Sequence, residues 1–397
     1  MNYPKLDSLR QKAVIACGVG LLVSLLGLLI SGKAQFFQSY LYAFMLWNGI
    51  SLGCLSLLML HHLVAGRWGF MIQRFLEAGT RILPVMFLLF LPIWLFGVYI
   101  LYPWAPGGEL AHHEVVMAKA AFLNVTGFRV RGLIYFAVWL LLAFFLNRWS
   151  HAQDKDANPA RTLHLRWISG PGLVAQVLVV TFAVTDWGMT LEPEWFSTIY
   201  APIFIVGQGL AALALSVILL SKVADSEPHS KVMSVDYYHH LGSLLCAFTV
   251  LWTYMSFSQY LITWSGNLPE EIPWYLHRTG PGLNFVALVL MLFNFALPMF
   301  ILFQRRVKRS VRGLVFMAGW VFLARFVDVF WIIKPAFTPN RLGIHVLDFA
   351  AHAAIGGLWL ALFLGQVKKY PLLPLHDERM EAALGTHGHA KEAVEHA

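Results

Sequence analysis

Ten long apolar runs constrain what this chain can fold into more than any other feature of its sequence. Each run holds roughly 17 to 25 residues, and about 20 residues of α-helix suffice to cross the hydrocarbon core of a bilayer. The runs lie near residues 13–31, 39–63, 82–102, 130–149, 171–187, 198–221, 241–264, 282–304, 313–333 and 345–367. The sequence therefore predicts an all-α integral membrane protein with about ten transmembrane helices.

The composition excludes a water-soluble domain. Hydrophobic residues make up 58% of the chain and charged residues 13%, which leaves too few polar side chains for a hydrated shell. The net charge of +8 would suggest nucleic acid in a soluble protein, but here the cations stand between apolar runs, so we expect no nucleic-acid partner. We assign residues 1–370 to a polytopic transmembrane domain and residues 371–397 to a polar C-terminal tail.

The distribution of Lys and Arg predicts the orientation. The side that holds both termini carries 21 of these residues and the opposite side carries 7, with Arg325 inside the ninth run. Cytoplasmic loops are the ones enriched in Lys and Arg, so both termini are predicted to be cytoplasmic. The first run is too long for the apolar core of a signal peptide, and we interpret it as a helix.

The number of helices also suggests an internal repeat. If the first and the last of the ten helices are set aside, the others can be divided into two groups of four, helices 2–5 and 6–9. Because both termini lie on one side, each group begins on the periplasmic side. The pairs Thr126-Gly127 and Thr279-Gly280 precede the fourth and the eighth helix. We therefore expect two four-helix bundles related as a parallel repeat, with helices 1 and 10 flanking them.

Three longer stretches carry a family resemblance. They are HHLVAGRWGFMIQRFLEAGTRILP from His61, TDWGMTLEPEWFSTIYAPIFIVGQ from Thr185 and SFSQYLITWSGNLPEEIPWY from Ser256. These stretches resemble the F-type membrane subunit of bacterial alternative complex III, a quinol:electron-acceptor oxidoreductase. That family is similar to the membrane subunits of polysulfide and nitrite reductases. The resemblance extends from about Tyr40 to Leu364.

The resemblance implies a subunit of a respiratory complex in the bacterial inner membrane. Its partners would be iron–sulfur and haem c subunits and a sister multi-helix membrane subunit, together with lipid and quinone. The chain itself would bind no cofactor covalently and would contribute assembly surface, a candidate quinone pocket and a candidate path for proton translocation. The alternative is a secondary transporter, for which ten helices, a parallel repeat and intramembrane charges also serve.

Cysteine and histidine usage predicts no metal or haem in this chain. The 3 cysteines stand singly in apolar runs, without CxxC, CxxCH or a four-cysteine spacing. They are Cys17, Cys54 and Cys246. The rival interpretation is a haem between His61-His62 and His239-His240, which lie near the same membrane surface. No helix carries two well-separated histidines on one face, as a two-haem cytochrome b would.

Ionisable residues inside the apolar runs are the main candidates for function, because such groups are costly in hydrocarbon. Arg325 and Asp328 share one face of the ninth helix, and Asp348 and His352 share one face of the tenth, together with His345. From their depths we expect Arg325, Asp328, Asp348 and His352 to meet across helices 9 and 10. A proton relay and a static packing network both fit this pattern.

A second set of candidates lies near the periplasmic surface. Asp186 at the end of helix 5 could take up a proton from quinol, whose oxidation releases two, or could only terminate the helix. Quinone headgroups need hydrogen-bonding groups in an apolar cleft, and helix 2 offers such a mixture in Tyr40, Trp47 and Asn48. We therefore predict a quinone pocket along helices 2–5, opening near Asp186.

A third set lies at the cytoplasmic helix ends. His61 ends helix 2, Glu77 precedes helix 3, and Asp236 and His240 precede helix 7. One hypothesis is that they gather protons at the entrance of a half-channel. The other is that they are solvated helix ends.

Overall fold

The computed structural model of the chain describes residues 3–156, 158–226, 229–374 and 376–377. In this part of the chain ten helices are long and apolar enough to cross a membrane, and there is no strand. The helices are α1 (Pro4–Ile30), α2 (Gly32–Val64), α3 (Arg67–Leu101), α4 (Val125–Gln153), α5 (Pro159–Leu191), α6 (Tyr200–Val223), α7 (Val235–Gly266), α8 (Leu283–Phe303), α9 (Val311–Ala336) and α10 (Val346–Val367). The prediction of an all-α membrane protein is confirmed.

Successive helices run in opposite directions, so the molecule has two sides. We call the side where α1 begins and α10 ends the N-terminal side, and the opposite one the far side. Most helices match the predicted runs, but α3 begins at Arg67 rather than near residue 82. Its first part, Arg67–Thr80, includes buried Arg74 and Glu77, and these charges hide the segment from a search for apolar runs.

The ten helices form two rings of four and one outer pair. In the first ring α2 and α4 each contact both α3 and α5, and in the second ring α6 and α8 each contact both α7 and α9. The rings meet where α2 packs against α6, while α10 packs on α2 and α1 packs on α10. The rings have the membership that the sequence predicted for the two bundles.

The sequences of α2 and α6 repeat each other. The pattern YxxxFxxxNG from Tyr40 to Gly49 returns as YxxxFxxxQG from Tyr200 to Gly209. These are the first helices of the two rings, and they pack against each other. Two helices with matching side chains at corresponding positions in two rings of the same order support a parallel repeat.

Small residues dock α1 onto α10. A Cβ on Gly20 would stand 2.7 Å from Ala350 O, and a Cβ on Gly357 would stand 2.6 Å from both Ala13 O and Cys17 N. Between helices in lipid, small residues let backbones approach closely and gain dispersion energy. The outer pair is therefore held by close fit between backbones, and one ion pair, between Asp7 of α1 and Lys368 after α10, joins their ends.

Replacing Gly357 with Leu is expected to destabilise the protein by about 1–3 kcal/mol, the usual cost of overpacking a close contact. The new side chain would meet the backbone of α1, which cannot rotate away as a flexible side chain can. The melting temperature of the detergent-purified protein measures the effect. Gly319→Leu in α9 is the matched control, because a Cβ there meets no atom within 4 Å. Equal melting of the two variants would contradict the prediction.

Candidate functional site

A large cavity lies inside the second ring, between α6, α7, α8 and α9. Its volume is about 730 Å³, within the range of pockets that hold small organic molecules. Most of its wall is apolar or aromatic, with Phe257, Tyr260, Trp274 and Trp331 among the lining residues. The cavity extends from the middle of α7 to the loops on the far side, and we take it as the candidate functional site.

The cavity opens sideways, between α7 and α8. The two helices pack together mainly through Leu297–Phe303, at the N-terminal side, and separate toward the far side. The lining residues Tyr254, Phe257 and Met291 are 64%, 58% and 64% exposed, although they lie on membrane-spanning helices. A molecule therefore reaches the cavity from the surrounding bilayer.

Two stacked tryptophans close the cavity on the far side. Trp195 and Trp274 lie with ring centroids 5.1 Å apart at an interplanar angle of 20°, and we call this pair the tryptophan lid. The guanidinium of buried Arg278 lies 3.5 Å from the Trp274 ring centroid. It donates to the carbonyl oxygens of Trp274 (2.7 Å), Trp331 (3.0 Å) and Ile332 (3.0 Å). Arg278 thus fastens the lid to the end of α9.

Glu192 ties the lid to the first ring. It follows α5 directly and accepts a hydrogen bond from Arg278 (3.1 Å), while its other oxygen lies 2.6 Å from His277 Nδ1. Burial alone would raise the pKa of the Glu192 carboxyl, but Arg278 and His277 outweigh burial and hold that pKa below its usual value. The carboxylate is therefore stabilised in its charged form and anchors the lid.

A buried ion pair stands at the inner end of the cavity. Arg325 and Asp328 lie 2.7 Å apart on α9, both almost fully buried, and Asp328 contributes to the cavity wall. The Arg325 guanidinium lies against Gly207 of α6, where any Cβ would overlap Nη2. Gly207 is therefore required for the position of Arg325.

Two polar side chains of α7 lie near this pair. The indole N–H of Trp252 is directed at Asp328, and the Ser256 hydroxyl is buried. Both side chains contribute to the cavity wall and lie one turn apart on α7. Their polar atoms have almost no accessible surface, so the part of the wall that they contribute is apolar.

The first ring has a corresponding carboxylate, which is paired by neighbouring side chains. Asp186 lies near the far-side end of α5, as Asp328 does in α9. It accepts hydrogen bonds from Arg131 Nε (2.8 Å), Arg131 Nη2 (2.7 Å) and Tyr135 (2.6 Å). The next residue along α5, Trp187, packs against the aromatic rings of Phe90, Phe136, Trp139 and Tyr135.

The difference comes from the helix that faces each carboxylate. In the first ring α4 presents Arg131 and Tyr135, which fill the space and neutralise the charge. In the second ring α8 presents Ala287, Leu290 and Met291 to the cavity, and none of these can bond Asp328. The same position is thus a packed brace in one ring and a hollow in the other.

The structure places the predicted quinone-pocket residues elsewhere. The Tyr40 hydroxyl donates to Leu89 O of α3 at 2.7 Å, and the Trp47 ring packs among aromatic side chains of α9 and α10, on Gly356. Asn48 is buried in α2. None of the three lines the large cavity. The large cavity lies in the other ring, and the quinone pocket expected along helices 2–5 stays a prediction.

The contacts of the four residues expected to join α9 and α10 also differ from the prediction. Asp348 accepts hydrogen bonds from Lys334 Nζ (3.0 Å), Ser39 Oγ (2.6 Å) and the backbone N–H of His345 (2.9 Å). Its cation is therefore Lys334, near the end of α9, and not Arg325.

His352 does not join either ion pair directly. Its ring packs edge-on against Tyr42, with centroids 4.3 Å apart, and against Phe326 at 5.0 Å. The Tyr42 hydroxyl donates to Phe326 O at 2.8 Å, so α2 stands between the two charged helices. Three of the four predicted residues thus belong to two separate ion pairs, Arg325–Asp328 and Lys334–Asp348, and the fourth, His352, packs on aromatic side chains.

The four predicted proton-entry residues lie in different surroundings. Glu77 is buried and paired with Arg74 (2.8 Å) and Arg81 (3.0 Å), and it accepts a hydrogen bond from Ser150 (2.5 Å). The RxxExxxR spacing around Glu77 was the sequence signal for this cluster, and the sequence interpretation missed it. Glu77 is therefore part of the buried joint between α3 and α4.

The other three residues are divided between the interior and the surface. His61 is buried and packs against Gly69, Trp68 and Phe70. Asp236 is exposed and lies 3.4 Å from Arg309, and His240 is also exposed. The structure gives no single entrance that these four side chains would share.

Two further predictions concern the C-terminal tail and metal binding. Leu372 and Leu373 are buried against the helices, and residues 378–397 lie outside the described residues. Among the described residues no three His, Cys, Asp or Glu side chains come together so as to hold a metal ion. Compared with known proteins, the chain matches no family model and has no significant match among curated proteins.

Proposed function

We propose that this chain is a membrane subunit of a quinol-oxidising respiratory complex of the alternative complex III type. The three stretches that resemble the F-type subunit support the proposal, and two of them contribute to the cavity and its lid, through Trp195, Gln259 and Trp274. In this proposal the complex lies in a bacterial inner membrane. The excess of Lys and Arg on the N-terminal side supports a cytoplasmic position for that side.

The observation that carries the proposal is the direction from which the cavity is entered. Its opening lies between two membrane-spanning helices, and the tryptophan lid covers its far-side end. A molecule that enters must therefore be dissolved in the bilayer, as quinol is. A secondary transporter for a soluble substrate needs a site reached in turn from each aqueous phase. The lateral opening thus favours a quinol-linked subunit over the transporter.

The redox centres of such a complex would belong to the partner subunits. Iron–sulfur and haem c subunits would carry electrons from quinol to the acceptor, and a sister membrane subunit would pack beside this chain. The present chain would supply a rigid two-ring scaffold, with its buried ion pairs as braces or as steps in proton transfer.

Purification of the tagged chain from its native membrane in mild detergent tests the proposal. We expect haem-containing subunits to co-purify, with the Soret and α-bands of haem c in the visible spectrum and with quinol oxidation by the preparation. A tagged unrelated multi-helix protein from the same membranes serves as the control. A colourless preparation that contains this chain alone would contradict the proposal.

A further inference from the structure

We propose that a basic cluster on the N-terminal side of the molecule binds the phosphate of an anionic phospholipid headgroup. The cluster lies where α8 ends and α9 begins, and we call it the α8–α9 basic cluster. Its five cations are Arg305, Arg306, Lys308, Arg309 and Arg312. The inference does not depend on the proposed function, because it concerns the lipid around the chain and not the reaction of a complex.

Positive charge is more concentrated here than in the other loops of this side. Five of the 21 Lys and Arg residues of the N-terminal side fall within positions 305–312, whose sequence is RRVKRSVR. This segment contains no Asp or Glu. The orientation of a membrane protein requires only an excess of cations summed over the loops of one side. Orientation therefore does not explain why so many of them stand together.

The cluster is poorly neutralised by carboxylates. Among the described residues only Asp236 lies within ion-pair distance of it, at 3.4 Å from Arg309. Several other cations of the same side are paired with carboxylates: Arg74 and Arg81 with Glu77, Lys5 with Asp225, and Lys368 with Asp7. Within the described part of the chain the other four cations of the cluster have no acidic partner, so the cluster attracts an anion.

The start of α7 brings these cations together. The turn that follows α8 packs against α7, and Lys308 lies on Gly242, where an added Cβ would stand 3.0 Å from Lys308 Cγ. Arg305 and Arg309 lie near His239, one turn before Gly242 on α7. The cluster is thus a basic site between the ends of three membrane-spanning helices, and such sites bind the phosphate of lipid headgroups.

The donors suit a phosphodiester with no positive charge of its own. A guanidinium group bonds two phosphate oxygens at once, and an ammonium group adds a point charge. Arg305 and Arg306 are exposed, so both can reach a headgroup at the membrane surface. The ammonium group of a zwitterionic lipid would be repelled by the same cations. The site therefore favours an anionic lipid such as phosphatidylglycerol.

The surface next to the cluster favours a lipid over a free phosphate ion. Phe300 and Phe303 in the last turns of α8 are exposed, and so is Phe316 near the start of α9. On membrane-spanning helices such exposed rings face the acyl chains of the bilayer. A lipid whose headgroup lies at the cluster can pack its chains on these rings, and a free phosphate cannot.

Native mass spectrometry of the detergent-purified chain tests the inference. Dioleoylphosphatidylglycerol is the probe, and dioleoylphosphatidylethanolamine is the control with the same acyl chains. We expect saturable binding of the anionic lipid and at least about 10-fold weaker binding of the zwitterionic one. The affinity for the anionic lipid should fall as the salt concentration rises, because the cations of the cluster are exposed.

A pair of double variants locates the site. Arg305→Gln combined with Arg306→Gln removes two exposed cations of the cluster and is expected to weaken binding of the anionic lipid about 10- to 30-fold. Lys155→Gln combined with Arg166→Gln is the matched control, because it removes the same charge from exposed positions between α4 and α5. The control should bind like the wild type, and both variants should keep its melting temperature.

Four outcomes would overturn the inference. The first two are equal affinity of the wild type for the two lipids and equal affinity of the two double variants for the anionic lipid. The third is displacement of the lipid by an excess of inorganic phosphate, which would make a free anion the ligand. The fourth is a partner protein that covers positions 305–312 in the complex from native membranes and prevents the lipid from binding.

Discussion

Replacing Arg278 with Ala is expected to cost about 3–5 kcal/mol of stability, the typical cost of removing one partner of a buried ion pair. The change leaves Glu192 with a side chain only 12% exposed and without its guanidinium. It also removes the donor of three backbone carbonyl groups, those of Trp274, Trp331 and Ile332. The melting temperature of the purified protein should fall by several degrees, and the tryptophan lid should loosen.

Two further variants separate the brace from a general effect of charge. Arg278→Lys keeps the positive charge, but one ammonium group cannot reproduce the planar fork that reaches the carbonyl groups and stacks on Trp274. We expect a loss smaller than that of Arg278→Ala but still measurable. Arg341→Ala, at an exposed position on the same side, should change stability by less than about 0.5 kcal/mol. Identical melting of Arg278→Ala and Arg341→Ala would show that Arg278 does not brace the lid.

The membrane-spanning helices could be predicted from the sequence because their signal is local. Twenty or so apolar residues in succession have one stable arrangement in a bilayer, and the order of the rings follows from the alternation of sides. The exception, Arg67–Thr80, shows the limit of this signal. Its Arg74 and Glu77 neutralise each other only in the folded state, so a segment that looks polar is in fact buried.

The position of the cavity could not be predicted in the same way. A cavity is made by side chains that are too short to fill it, and nothing in the sequence marks Ala287 as facing empty space. Polar and aromatic residues on α2 suggested a pocket instead, but the Tyr40 hydroxyl donates to a carbonyl of α3 and the Trp47 ring packs on Trp359 of α10. Only the arrangement of the helices shows which side chains face a cavity and which pack against neighbours.

The partners of the buried charged residues could not be predicted from sequence patterns either. Helical spacing shows which residues share a face of one helix, as it did for Arg325 and Asp328. It does not show which residue of a neighbouring helix lies closest. Asp348 therefore pairs with Lys334 rather than Arg325, and Asp186 pairs with Arg131 of α4.

The ion pair between Arg131 and Asp186 is expected to respond very unequally to the removal of its two members. The Asp186 side chain is 1% exposed, whereas that of Arg131 is 19% exposed. Arg131→Met therefore leaves a carboxylate that cannot reach water, at a cost of about 3–5 kcal/mol. Asp186→Asn leaves an Arg whose guanidinium retains some contact with solvent, and it keeps an acceptor for Tyr135, so its cost should be clearly smaller.

A double variant completes the test and separates a brace from a proton acceptor. Arg131→Met combined with Asp186→Leu removes both charges and should be more stable than Arg131→Met alone, because no unpaired buried charge remains. Thermal melting of the wild type, Arg131→Met, Asp186→Leu and the double variant gives the coupling energy. Quinol oxidation, the activity of the proposed complex, is measured on purified complexes that carry the same variants and Asp186→Asn. If Asp186 is a brace, Asp186→Asn loses activity only as far as it loses stability. If that variant melts like the wild type and yet no longer oxidises quinol, Asp186 takes part in proton transfer, and the brace interpretation fails.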